Sequence, residues 1–161
     1  MPFVTETYQA RFSDLVVHEL DPSVGYSRRD LNVTPGSVPV KLGTVVYRAK
    51  NADLTAAWTV LASAAPLVLT NEFAVVYGDH YSFNPSFTPR AIATGQYNAV
   101  GFVGTSGALQ LKEYYIKQVA KSPVLEGGAA LTDAQVETLK GLLEQQGIQV
   151  LKTCLLYTSD A

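Results

Sequence analysis

The chain has 161 residues, 47 % of them hydrophobic and only 16 % charged, with a formal net charge of −2. Length and apolar content suit one globular core, and the near-neutral balance supplies no broad positive field for phosphates, so direct nucleic-acid binding is not expected. A lone cysteine, Cys154, excludes an intramolecular disulfide, and the most apolar run, Trp58 to Leu69, is interrupted by Thr59, Ser63 and Pro66, so no membrane span is expected.

The N-terminus lacks the basic-then-apolar grammar of a secretory signal, which points to synthesis and use in a cytoplasm. Residues 1–30 scatter apolar side chains (Phe3, Tyr8, Phe12, Leu15, Val17, Leu20) around Asp21-Pro22 and Gly25, and read as an extended arm. Such an arm satisfies its backbone by adding a strand to a neighbouring sheet; an ordinary first strand or a frayed terminus is the alternative. Tyr26-Ser27-Arg28-Arg29 closes the arm with an aromatic ring and two guanidinium groups, either a contact with carboxylates or a solvated turn.

Residues 31–152 read as a single β-rich domain. Pro35-Gly36 marks a turn, and Gly43 introduces the strand Thr44 to Arg48, whose alternation suggests one face more exposed than the other. Between Leu54 and Leu69 the alanines favour helix, Thr59, Val60 and Val68 favour strand, and Pro66 stops either. Phe73 to Tyr77 is a buried strand ended by Gly78-Asp79, and Ser82 to Pro89, with two prolines, is loop. Tyr97 to Val103 and Ala108 to Val119 flank Gly104-Thr105-Ser106-Gly107 and predict an antiparallel hairpin, with a bulge or bend near Lys112-Glu113, where the burial parity shifts.

A helix is expected over Asp133 to Gln146. Thr132 is its N-cap, Gln135 completes a capping box, Leu131 and Val136 form a staple, and Gly147 suits a left-handed C-cap. Its stripe of Val136, Leu139, Leu142 and Leu143 packs on the sheet, and Ile148 to Leu151 returns as a strand. The tail, residues 153–161, continues no pattern and resembles translated adapter read-through; a native extension touching a neighbour is the other reading.

Chemistry is sparse. The two histidines, His18 and His80, leave little scope for metal binding or proton shuttling, and Pro22 denies His18-Glu19 the helix of a zinc-protease motif. Asp79-His80 reads as a turn pair with no nucleophile tied to it. Gly104 to Ala108 lacks the second glycine of a nucleophile elbow. Neither a cofactor nor catalysis is expected, and a small hydrolase is the least favoured reading. Tyr77, Tyr81, Phe83 and Phe87 surround a proline-stiffened loop and suit a contact surface, as in a carbohydrate-binding or adhesin module, or else they roof the core.

The order of these signals resembles one known family. The arm, Tyr26-Ser27-Arg28-Arg29, Val33-Thr34-Pro35-Gly36 and Lys41 to Val46 are similar to the opening of lambda-type head decoration proteins of tailed bacteriophages. The strand Phe73 to Gly78, the run Tyr97 to Val119 and the ending Leu131 to Val150 resemble the remainder, so the likeness spans roughly residues 12–152. It implies an α+β, β-rich module with a small barrel- or sandwich-like core, one C-terminal helix and an extended arm. It also implies a structural protein of the virion that docks as a homo-trimer on the outer surface of the major capsid lattice. Phe3, Tyr8, Phe12, Leu15, Val17, Tyr26, Arg28 and Arg29 would then face capsid or neighbouring subunits. The long aromatic loop, Ser82 to Gly95, departs from the family pattern.

Overall fold

The computed structural model describes residues 12–19, 27–35, 40–53, 55–80, 86–93, 96–103, 109–121 and 131–152. In chain order they form α1 (Phe12–Leu15), β1 (Val16–Glu19), β2 (Arg28–Leu31), β3 (Val40–Lys41), β4 (Val45–Ala49), β5 (Thr59–Val60) and β6 (Asn71–Asp79). There follow β7 (Ser86–Phe87), β8 (Ala99–Phe102), β9 (Leu109–Lys112), α2 (Glu113–Ala120), α3 (Asp133–Gln145) and β10 (Ile148–Leu151). The fold is α+β and strand-rich. A five-stranded antiparallel sheet runs β2-β8-β6-β4-β5, a three-stranded sheet runs β1-β9-β10, and β3 pairs with β7. Among the described residues no sheet closes into a barrel.

Strand alternation in the five-stranded sheet feeds two cores. Val45, Phe73, Val75 and Phe102 join Leu109, Leu111, Ile148 and Val150 of the other sheet, together with side chains of α2 and α3. The intervening residues Val46, Ala74, Val76 and Ala99 pack with Leu31, Val33, Val40 and Trp58 on the opposite side. Both faces of the 44–48 strand are therefore packed, with Thr44, Val46 and Arg48 buried on one and Tyr47 half-buried on the other, so the more exposed face lies against the main core. Trp58 donates its N–H to the Asn32 carbonyl (2.7 Å) and accepts from Thr34 N–H (2.8 Å), which holds the indole over that face. Among the described residues of the ambiguous stretch from Leu54 to Leu69, only Thr59–Val60 is strand; the Pro66 carbonyl accepts from Val68 N–H (2.8 Å) and Asn71 Nδ2 (2.9 Å), which closes the turn into β6.

The expected hairpin is not formed. β8 pairs with β2 and β6, whereas β9 lies in the other sheet between β1 and β10. The parity shift at Lys112-Glu113 is a change of element. Leu109 and Leu111 keep the two-residue period of a strand, and buried Tyr115, Ile116, Val119 and Ala120 then follow the spacing of a helix.

The extended-arm expectation is corrected for residues 12–19. Leu15 and Val16 are buried in the main core, and β1 pairs antiparallel with β9. These residues bury enough apolar surface to hold to their own chain. Residues 1–11 and 20–26 lie outside those described.

The terminal helix has the expected cap: Thr132 N–H donates to Gln135 Oε1 (2.9 Å), and Gln135 N–H donates to Thr132 Oγ1 (3.3 Å). Gly147 follows at φ 92°, a conformation that favours glycine, and turns the chain into β10, which runs parallel to β9. Gln146 then joins the two halves of the molecule. Val76 N–H donates to the Thr44 carbonyl, so alternation points the N–H and C=O of Phe73 away from β4, at a level where β8 has already ended. The Gln146 amide takes both, accepting from Phe73 N–H (2.7 Å) and donating to its carbonyl (2.7 Å).

Asn98 makes the same two-point contact with Val33 (2.8 Å each way) and also donates to the Arg90 carbonyl (3.0 Å). Asn98→Leu should lower stability by about 2–4 kcal/mol in denaturant titration, because buried backbone groups of Val33 lose their partners.

Candidate functional site

The Arg28-Arg29 pair is split by strand alternation. Arg28 points to the main-core side of β2, where its Nε donates to Glu19 Oε2 (2.9 Å) and its Nη2 to Glu19 Oε1 (2.9 Å). Ser27 Oγ donates to the same carboxylate (2.6 Å). The guanidinium carbon lies 4.9 Å from the Tyr77 ring centre and 6.0 Å from that of Phe102, and those two rings meet edge-to-face at 5.7 Å. This clasp joins β1 of one sheet to β2 of the other.

Burial raises the Glu19 pKa, but the hydrogen bonds from Arg28 and Ser27 and the Arg28 charge outweigh it, and the carboxyl is held below its ordinary value. The hydrogen bonds to Glu19 raise Arg28 in turn. Arg28 keeps 27 % of its side chain exposed while Glu19 keeps 3 %. Arg28→Ala should therefore destabilise by about 2–3 kcal/mol, less than the loss on breaking a fully buried pair. Because the folded-state pKa of Glu19 is depressed, its contribution is fully present above the ordinary glutamate value of about 4.3 and is lost as pH falls through the lower folded value. Melting curves of wild type and Arg28→Ala should differ most at neutral pH and converge in acid.

Arg29 emerges on the second-core side, exposed, with no partner among the described residues. It borders a depression of about 200 Å³ lined also by Asp30, Asn32, Arg48, Trp58 and Tyr97. Arg48 forms the floor: its guanidinium lies 4.3 Å from the Trp58 ring centre, bonds Glu72 through Nε and reaches the Ala56 carbonyl through Nη1 (3.4 Å). At the rim, His80 Nδ1 is 3.1 Å from Asp30 Oδ1, and its ring is 6.1 Å from that of half-exposed Tyr97.

Comparison with family models, curated proteins and solved structures gave no match to the chain.

The other residues singled out from sequence are dispersed. Leu15 is in the core and Val17 is exposed on β1. Tyr77 packs on the main core and Phe87 on the second, so these two aromatics do not share a surface. Phe3, Tyr8, Tyr26, Tyr81 and Phe83 lie outside the described residues, as does the side chain of Phe12. His18 is exposed, and His80 pairs with Asp30, fifty residues away in sequence. Among the described residues no His, Cys, Asp and Glu side chains cluster in a metal-binding group, and no helix is long and apolar enough to cross a membrane. Sequence reasoning missed Glu19, Asn98, Gln146 and the Arg48-Trp58 floor, each of which depends on a long-range pairing that no local motif announces.

Proposed function

We propose that the protein is a structural, non-catalytic component of a tailed-phage virion that binds the outside of the assembled head and stabilises it, in the manner of lambda-type decoration proteins. The observation that carries this reading is the position of β1. It is the outer strand of its sheet, has β9 on one side and no strand partner on the other among the described residues, and directly follows the N-terminal segment. An open strand edge suits main-chain pairing with a second protein. Two further features agree with a stabilising role. Buried Arg48 and Asn98 bond Glu72 and Val33, 24 and 65 residues away in sequence, and both the five-stranded and the three-stranded sheets contribute side chains to the main core.

On this reading the chain is made in the host cytoplasm and docks as a homo-trimer on the major capsid lattice. The test is co-sedimentation with expanded lambda-type heads that lack their own decoration protein. Wild type should pellet saturably with the heads, and a variant without residues 1–11 should melt like wild type yet stay in the supernatant. Failure of wild type to pellet with any expanded head would overturn the proposal.

A further inference from the structure

We propose that the depression beside Arg29 binds a carboxylate-bearing sugar, a hexuronate unit. Its charge comes first. Arg48 is paired with Glu72, and the Asp30 carboxylate is engaged by the His80 ring, which leaves Arg29 as the guanidinium of the lining with no bonded partner among the described residues. A guanidinium offers two parallel N–H donors in the geometry of a carboxylate, so a carboxylate is the anion it suits best.

The remaining surface suits a polyhydroxylated ring. Tyr97 is 39 % exposed and presents an aromatic ring on which the C–H face of a pyranose can lie. Asn32 is half-buried and its side-chain amide has no partner among the described residues, which leaves both a donor and an acceptor for hydroxyl groups. A lone carboxylate would leave most of the 200 Å³ empty, whereas one pyranose unit fills it. The floor is rigid before any ligand arrives, because Arg48 is stacked on buried Trp58 and fixed at Glu72 and Ala56, so binding need not order it.

The inference does not rest on the capsid reading, and either can fail alone. The experiment titrates D-glucuronate, D-glucose and acetate into wild type, Arg29→Ala and Tyr97→Ala, followed by amide chemical shifts. Wild type should bind glucuronate about tenfold more tightly than either glucose or acetate. Arg29→Ala should lose the preference for glucuronate over glucose, and Tyr97→Ala should weaken both sugars. Arg29→Ala should leave the melting temperature unchanged, since Arg29 is exposed, and Tyr97→Ala, which removes a ring only 39 % exposed, should lower it while the protein stays folded at the titration temperature. Absence of saturable glucuronate binding, or equal binding by wild type and Arg29→Ala, would overturn the site, and acetate binding as tightly as glucuronate would overturn the sugar.

Discussion

Deletion of residues 1–21 is expected to unfold the protein. The deleted stretch includes Leu15, fully buried, Val16, also in the main core, and Glu19, the partner of Arg28. Truncating one buried leucine costs about 2–5 kcal/mol, and stripping Arg28 of its carboxylate adds to that. Loss of β1 also exposes an edge of β9, whose Leu109 and Leu111 are core residues. The sum approaches the whole stability of an ordinary domain, about 5–15 kcal/mol. Circular dichroism and a melting curve check this directly. A cooperative, native-like melt of the truncated chain would show that β1 adds little to the fold. A deletion that stops at residue 11 keeps β1, so loss of head binding there cannot be attributed to loss of this core.

Leu139→Ala should destabilise by about 2–5 kcal/mol, toward the upper part of that range, because the site cannot easily collapse. Leu139 is fully buried on the inner stripe of α3 with Val136, Leu142 and Leu143, in the cluster that joins both sheets. The helix is anchored at both ends, by the capping box at Thr132 and by the Gln146 amide on Phe73, and this limits its movement into the cavity. Denaturant titration should give a lower midpoint with an unchanged slope. A loss below 1 kcal/mol would mean that α3 shifts to fill the space.

Local grammar reveals some of these elements and none of the pairings. The helix over residues 133–145 was readable because a capping box, an apolar stripe and a glycine fall within one short window. The 73–77 strand was readable for a similar reason, although β6 runs on through Gly78 and Asp79 past an irregularity in its pairing with β8. Leu109 to Ile116 look like one β-prone run, and only the change of period at Lys112 marks the start of a helix in place of a hairpin strand. Residues 12–19 look like an arm in sequence because their burial depends on β9, some ninety residues later. At the candidate site, the sequence shows Arg28-Arg29 as an adjacent pair of cations. Alternation then sends the two guanidinium groups to opposite faces, which the dipeptide alone does not reveal.

The three-stranded sheet is drawn from both ends of the chain, since β9 is flanked by residues 16–19 and 148–151. During synthesis, therefore, β9 waits for its parallel partner until residue 151 has emerged from the ribosome. Through that interval Leu109 and Leu111 sit on a strand with one side open, the kind of edge that pairs with other chains. Nascent chains stalled just before β10 should thus be more aggregation-prone than chains released after it, in which β9 is paired on both sides.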